Sequence, residues 1–199
     1  MTENEILKTI KGRTSVRKYN QEKIPAQKLR DILEAGQFAP TGGNSQSVHF
    51  TVITNPEIRE KLRTLVRETF AEMEGDENLY KSIQNSIRLS KKGTYAFDYH
   101  APALIVVSNR KGYPNAMADC ACALQNMMLA AESLKIGSCW INQLHWLDEN
   151  ARIRSFLAPL GIGEDETICG SLALGCYDEG AKPLPKPRTG MKVDYVALA

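Results

Sequence analysis

The sequence predicts one domain, over residues 1–199, of the α+β or α/β class, with helices and strands mixed along the whole chain. Two observations lead to this prediction. Segments with apolar residues at helical spacing, such as 116–134, are interleaved with β-branched or wholly apolar runs such as 48–54 and 103–108. The length of 199 residues is also enough to enclose one sizeable hydrophobic core.

Charge and cysteine content exclude several classes of protein. The 25 basic and 23 acidic side chains give a net charge of +2, with no block of like charge to bind nucleic acid or a membrane surface. The N-terminus carries charges throughout, unlike a secretory signal, and the longest apolar run, 101–107, is too short to span a bilayer. Five irregularly spaced cysteines favour a reduced, cytoplasmic setting over a disulfide framework.

The first third of the chain predicts three helices and a strand. Residues 3–11 form a short amphipathic helix. A second helix begins with Pro25 at its first helical position and ends before Pro40. The β-branched segment 48–54 is typical of a strand, and Pro56 then opens a third helix. Residues 71–100 are polar and poorly patterned, and are predicted to be a partly helical excursion that serves as a lid or a dimer element.

The middle of the chain predicts the core of the sheet and the longest helix. The continuous apolar run 103–108 indicates a strand that is buried on both faces. The helix over 116–134 is rich in Ala, Cys and Met, and Gly137 is expected to cap it. A short strand is predicted at 138–142.

The C-terminal third predicts a helix, a strand and an extended tail. The helix covers 148–157, with Asp148 as its expected N-cap, and the apolar strand covers 167–176. Three prolines make residues 180–190 extended and stiff. Residues 193–196 are predicted as a last edge strand.

Two basic segments far apart in the chain are candidate anion sites. Arg13 and Arg17 flank Ser15 at the end of the first helix, while Lys186 and Arg188 lie on one side of the extended tail. Arginine matches the geometry of a phosphate with paired hydrogen bonds, so the two pairs suit one phosphate if they converge. The alternative is that each pair is a solvated surface cluster.

The loop 39–46 holds two glycines, a proline, two hydroxyls and two amides, and no charge. Such a loop offers free backbone N–H groups and lets a ligand approach the main chain. Ordinary turn chemistry also produces this composition.

Other kinds of site are disfavoured. Cys120 and Cys122 point to different sides of a helix and match no zinc pattern, so buried structural cysteines are expected. The three histidines lie far from any candidate nucleophile, and neither of the common glycine-rich nucleotide motifs occurs. His49 is interpreted as a strand histidine, with a proton donor near a site as the alternative.

Four segments, in order, resemble motifs of the nitroreductase family of FMN-dependent oxidoreductases. These are RTSVRKY, APTGGNSQSVHF, LKIGSCWINQL and LGCYDEGAKPLPKPR. Ser47-Val48 stands where the family usually has Pro-Trp, Thr41-Gly42 replaces a serine pair, and Asn142-Gln143 replaces the Glu-Gly found in many members. The resemblance covers most of the chain and implies an α+β fold, with a mostly antiparallel sheet flanked by helices, in an intertwined homodimer.

The resemblance also implies the FMN-binding residues. The first segment would bind the phosphate and the pyrimidine side of the flavin ring, and the tail would complete the phosphate site. The loop would reach the flavin of the other subunit. The third segment would lie beside the reactive flavin N5. The residues are Arg13, Thr14, Ser15, Arg17, Pro40, Thr41, Gly42, Asn44, Gln46, Trp140, Ile141, Asn142, Gln143, Lys186 and Arg188. Arg17 would stabilise the negative charge of the reduced ring.

The implied activity is hydride transfer from NADH or NADPH, through flavin N5, to a nitroaromatic, quinone or similar small acceptor. No dedicated acid or base from the protein is required, and one site that serves donor and acceptor in turn predicts ping-pong kinetics. Two alternatives stay open, a specialised flavin reductase of the same family and a non-catalytic flavin-binding protein.

Overall fold

A computed structural model describes residues 4–178 and 180–196 and contains one four-stranded sheet. Its strands are β1 (His49–Ile53), β2 (Ala103–Arg110), β3 (Gly137–Ile141) and β4 (Glu166–Gly175). Their spatial order is β1-β2-β4-β3, and each neighbouring pair is antiparallel. The predicted α+β class with a central antiparallel sheet is confirmed.

Helices cover both faces of this sheet. They are α1 (Glu5–Gly12), α2 (Ala26–Gln37), α3 (Pro56–Glu72), α4 (Lys81–Lys91), α5 (Ala116–Ser133), α6 (Gln143–Trp146) and α7 (Ala151–Leu157). Helices α2 and α5 pack on one face, and α3, α4, α6 and α7 contribute to the core on the other face. Asparagine side chains cap three of the helices by accepting N–H groups of the first turn: Asn4, Asn55 and Asn150.

Strand β2 is buried on both faces, as its apolar run predicted. Leu104 and Val106 pack into the core beneath α3, whereas Ile105 and Val107 pack beneath α5. The alternation follows from the two-residue period of a strand, which sends successive side chains to opposite faces. The core therefore consists of two apolar layers separated by the sheet.

Three predicted helix ends are wrong. Pro25 is the N-cap of α2, with extended backbone, and not its first helical residue. Helix α5 ends without Gly137, because Lys135 adopts the left-handed conformation (φ 57°) that leads into β3, and Gly137 is the first residue of that strand. Asn150, not Asp148, caps α7. Asp148 is buried instead and accepts hydrogen bonds from Arg154 (3.0 Å) and Thr167 (2.7 Å). Because its carboxylate is bonded to these two residues, it does not cap the helix.

Residues 71–100 contribute to the core. Helix α3 extends through Glu72, α4 follows at Lys81–Lys91, and Ile87 and Phe97 are buried against α3. The partly helical prediction is confirmed, and the buried apolar contacts argue against a freely moving lid.

Cys122 is exposed, so the expectation of buried cysteines is wrong at that position, whereas Cys120, Cys139 and Cys169 are buried.

The two edges of the sheet differ. The outer edge of β3 is met by the segment after α1, where Ser15 forms a parallel bridge with Ser138. The outer edge of β1 pairs with no strand of the described chain. Residues 193–196 form no strand within residues 4–178 and 180–196 and are exposed, so the predicted edge strand is not formed inside one protomer.

A buried ion pair holds the turn that precedes β2. Arg63 of α3 donates two hydrogen bonds to Asp98, from Nε at 2.8 Å and from Nη2 at 2.9 Å, and the Asp98 side chain is only 1% exposed. Asp98 also accepts the backbone N–H of His100 at 3.1 Å. These three bonds fix the path of the chain from Asp98 into β2.

Within the described residues, no helix is long and apolar enough to cross a membrane. The same residues contain no cluster of three or more His, Cys, Asp or Glu side chains placed to hold a metal ion. His49 contacts Glu166 at 2.9 Å, which accounts for it as a partnered strand histidine.

Replacing Asp98 by alanine should lower the free energy of unfolding by about 3–5 kcal/mol, because Arg63 would stay buried without its counter-ion. Urea unfolding of the two proteins measures the difference. The matched control is Glu60→Gln, since Glu60 also pairs with Arg63 but is 60% exposed, and its loss should cost less than about 1 kcal/mol. Equal losses in the two variants would contradict the role given to Asp98.

Candidate functional site

The segment after α1 lies along the outer edge of β3. Arg13 ends the helix, and its backbone N–H donates to Thr9 at 3.0 Å. The N–H of Val16 then donates to the carbonyl of Ser138 at 2.9 Å, and the Val16 side chain is buried. Because neighbouring residues of an extended segment face opposite ways, Arg17 is directed outward while Val16 packs inward.

Arg17 is oriented by an aromatic residue from the turn before β2. Its Nε donates to the hydroxyl of Tyr99 at 3.3 Å, and its guanidinium carbon lies 5.8 Å from the centre of the same ring. Tyr99 has a positive φ of 54°, a conformation uncommon for a bulky residue. The neighbouring Asp98 holds this strained position in place, because it accepts hydrogen bonds from Arg63 and from the backbone N–H of His100.

A buried thiol lies beneath these arginines. Burial raises the pKa of the Cys139 thiol, and the nearby positive charges of Arg17 and Arg13, with a hydrogen bond from Ser15, offset only part of that effect. Cys139 is therefore protonated at neutral pH and does not act as a nucleophile.

The C-terminal tail approaches the same segment. The hydroxyl of Thr14 donates to the carbonyl of Pro183 at 3.0 Å, and Lys182 forms an ion pair with Glu132 near the C-terminal end of α5. Lys186 and Arg188 follow within a few residues and are exposed. Within residues 4–178 and 180–196, neither of these two cations nor Arg13 is paired with a carboxylate.

The segment Trp140 to Gln143 leaves the end of β3 with its side chains hydrogen-bonded. Trp140 donates from Nε1 to Asn142 at 2.6 Å, and Gln143 donates from Nε2 to the hydroxyl of Tyr95 at 2.7 Å. Ile141 is buried in the core. The Oε1 atom of Gln143 is buried and has no hydrogen-bond partner in the described chain, which leaves one acceptor free at this end of the strand.

The loop 39–46 is attached to the N-terminal end of α5. Buried Asp119 accepts the backbone N–H of Gly42 at 3.0 Å and the hydroxyl of Ser45 at 3.4 Å. The hydroxyl of Tyr113 donates to the Gly42 carbonyl at 3.0 Å. A Cβ atom on Gly42 would lie 2.1 Å from Nδ2 of Asn115 and 2.7 Å from the Tyr113 hydroxyl, so a larger residue here would displace these two side chains.

The same loop contains three residues in the left-handed region, Gly43 (φ 58°), Asn44 (φ 56°) and Gln46 (φ 47°). The Gln46 N–H donates to Thr41 Oγ1 at 3.1 Å, and its side-chain amide donates to Asn44 at 3.2 Å. These local bonds help to offset the cost of the strained backbone. Pro40 and Gly43 face solvent, and a Cβ on Gly43 would meet nothing within 4 Å.

The structure brings some of the predicted site residues together and separates others. Arg13 to Arg17, the start of the tail and the beginning of β3 lie together near the C-terminal end of α5. The loop lies at the opposite end, where Asp119 holds it. Asp119 and Glu132 are 13 residues apart on α5, a span of about 20 Å at roughly 1.5 Å per residue.

Several residues that build these surfaces were missed by sequence reasoning. Tyr95 and Tyr99 come from the poorly patterned segment 71–100, and Asp119 and Tyr113 hold a loop that is more than sixty residues away in the chain. The sequence signal for Asp119 was an acidic residue in the N-terminal part of α5, among Ala, Cys and Met.

Comparison with known proteins agrees with this geometry. The chain matches the family model described as the nitroreductase family over residues 10–176. It is similar to a crystal structure of a nitroreductase with bound FMN from Bacteroides fragilis, with a TM-score of 0.88 and 39% identity, covering 98% of this chain and 100% of that one.

Two further similarities extend over most of the chain. A nitroreductase with bound FMN from Desulfitobacterium hafniense has a TM-score of 0.84 and 29% identity, covering 98% of this chain and 100% of that one. A putative NADH dehydrogenase/NAD(P)H nitroreductase from Archaeoglobus fulgidus is 29% identical over 171 residues, which is 86% of this chain and 84% of that protein. The chain therefore belongs to the nitroreductase family.

Proposed function

We propose that this protein is an FMN-dependent oxidoreductase that takes hydride from NADH or NADPH and reduces a small acceptor such as a nitroaromatic or a quinone. The observation that carries the proposal is the similarity, at 39% identity over nearly the whole chain, to a nitroreductase with bound FMN. We further propose that residues 1–199 act as one domain, in the cytoplasm, where the free thiols found here stay reduced.

The charges of the described chain fit a flavin phosphate. Arg13, Lys186 and Arg188 have no carboxylate partners within the described residues, and the Thr14 hydrogen bond to Pro183 draws the tail toward Arg13. A phosphate would give these cations the negatively charged, hydrogen-bond-accepting partner that the described residues do not provide. The free buried acceptor on Gln143 likewise fits a donor on a bound ring.

Bound FMN would supply the two-electron chemistry, accepting hydride from the nicotinamide and passing electrons to the acceptor. Arg17 would stabilise negative charge on the reduced ring, and Tyr99 keeps the Arg17 guanidinium in one orientation. Gln143 is held by Tyr95, so its free Oε1 is fixed in direction. These residues orient and stabilise, and none of them needs to transfer a proton.

A homodimer would complete the site. Asp119, which holds the loop, and Glu132, which pairs with the tail beside the arginine segment, lie about 20 Å apart along α5, and this separation favours a loop supplied by a second subunit. Large apolar side chains on the surface support such a partner, among them Phe38 at 80% exposure and Tyr195 at 93%. The unpaired edge of β1 and the unpaired tail residues 193–196 suit each other across that interface.

Purified protein mixed with FMN should be yellow, and excess NADH or NADPH without oxygen should bleach it. Steady-state rates with a quinone acceptor should then give the parallel double-reciprocal lines of a ping-pong mechanism. A flavin that stays oxidised with both nicotinamides would support a non-catalytic binding protein instead. Failure to take up any flavin would contradict the whole proposal.

Removing one phosphate-binding arginine, by Arg13→Ala or Arg188→Ala, should weaken FMN binding by roughly 1–3 kcal/mol, the cost of a lost charge-assisted hydrogen bond. Fluorescence titration of FMN into the apoprotein measures the affinity. Arg30→Ala is the matched control, because Arg30 is exposed on α2 and its side chain bonds to Gln27 on the same helix. Unchanged affinity in both test variants would remove these residues from the phosphate site.

Subunit exchange of the loop can be tested by complementation. Gly43→Asp adds a carboxylate to the loop without a clash in its own protomer, and should weaken FMN binding as Arg13→Ala does. A heterodimer with one Arg13→Ala subunit and one Gly43→Asp subunit should bind one FMN at wild-type affinity, because one of its sites combines the two unchanged segments. If each loop serves its own protomer, both sites of the heterodimer carry a defect and no tight site is recovered.

A further inference from the structure

A cavity of about 660 Å³ lies apart from the arginine segment, where the loop before α2 meets the first turn of α3 and the beginning of β2. Eleven residues line it, all from the described chain. Two of them are cationic, Lys23 and Arg59, and none is acidic. A cavity of this size holds a small organic molecule, and its charge selects against cations.

Arg59 is the unusual member of this lining. The residue is only 8% exposed, and its Nη1 donates to the carbonyl of Ala101 at 2.5 Å. Its Nε is buried without a hydrogen-bond partner in the described chain. The neighbouring carboxylate, Asp98, is already occupied by Arg63. Arg59 therefore keeps a buried positive charge whose Nε–Nη2 edge has no acceptor in the described chain.

Such a group is costly when it has no anion. Burial lowers the pKa of the Arg59 guanidinium, because the charged form has lost its water. Nε has no surface open to a ligand, whereas Nη2 of the same edge has no hydrogen-bond partner in the described chain. A carboxylate in the cavity would bond to Nη2 and restore part of the lost stabilisation of the charge.

Two further features of the cavity suit the same ligand. Helix α2 has Pro25 at its N-cap position and no side-chain cap, so the N–H groups of its first turn stay available beside Ala26 in the lining. Ile24, Leu29 and Pro102 provide apolar walls. The cavity thus has cationic groups that suit an anion and apolar walls that suit a hydrocarbon group. Inorganic phosphate would use the cationic groups alone.

We propose that this cavity binds a small organic carboxylate with an apolar body, held by Arg59 and Lys23 and separate from the flavin site. The carboxylate bonds to Nη2 of Arg59, and the exposed Lys23 of the lining adds attraction. Arg59 is bonded to the Ala101 carbonyl of the turn that carries Tyr99, so the cavity and the arginine segment share one structural support.

Titration calorimetry of hexanoate into the FMN-loaded protein tests the site. Hexanoate should bind once per chain, and hexanamide and inorganic phosphate should each bind at least about ten-fold more weakly, because the first lacks the charge and the second the apolar body. Arg59→Gln should lower hexanoate affinity roughly ten- to a hundred-fold, the range for a lost charge-assisted bond. Phosphate that binds as tightly as hexanoate would overturn the assignment of the ligand class.

Two variants keep the test decisive if Arg59→Gln folds poorly. Lys23→Gln removes an exposed cation of the lining and should weaken hexanoate several-fold, whereas Lys61→Gln, on an exposed part of α3 outside the cavity, should have no effect. Ala26→Phe narrows the cavity and should also weaken binding. Wild-type protein that binds no hexanoate, or Lys23→Gln and Ala26→Phe variants that both bind it normally, would overturn the proposal. Binding that survives in Arg13→Ala would show that the proposed phosphate site is not responsible.

Discussion

The buried contact between Arg63 and Asp98 is the constraint on which both proposed ligand-binding regions depend. It joins α3 to the turn before β2, and that turn carries Tyr99 on one side and the Ala101 carbonyl on the other. Tyr99 then orients Arg17, while Ala101 holds Arg59. One carboxylate therefore organises three arginines, and only one of them is its ion-pair partner. A buried pair of this kind contributes little net stability but strongly specifies geometry.

The proposed division of the flavin site between subunits follows from the length of α5. A single rigid helix keeps the arginine segment and the loop at opposite ends, so neither can move to the other within one chain. The conformation of the loop is nevertheless held within its own protomer, because Asp119 and Tyr113 form hydrogen bonds to it. Association would then join two preformed surfaces, and less ordering entropy opposes binding when the surfaces are already rigid.

The sequence predicted the parts of the fold that local pattern determines. The apolar run of β2 indicated a strand buried on both faces, and the length and composition of α5 indicated a long buried helix. Predictions failed where a distant partner decided the outcome. Asp148 and Asn150 are both good capping residues. Asp148 instead accepts hydrogen bonds from Arg154 and Thr167, and Asn150 caps the helix. In the same way, no local pattern connects Tyr99 to Arg17 or Gly42 to Asp119, because those contacts exist only after the sheet has formed.

The open edge of β1 also has a consequence for how copies associate. An exposed strand edge accepts any strand, and head-to-tail addition of tails would build an open chain of molecules. If two copies exchange tails reciprocally about a two-fold axis, each tail covers the partner's edge and no edge is left over. The assembly then stops at two, so reciprocal exchange of tails in the dimer that would complete the flavin sites would also protect the protein from growing into fibres.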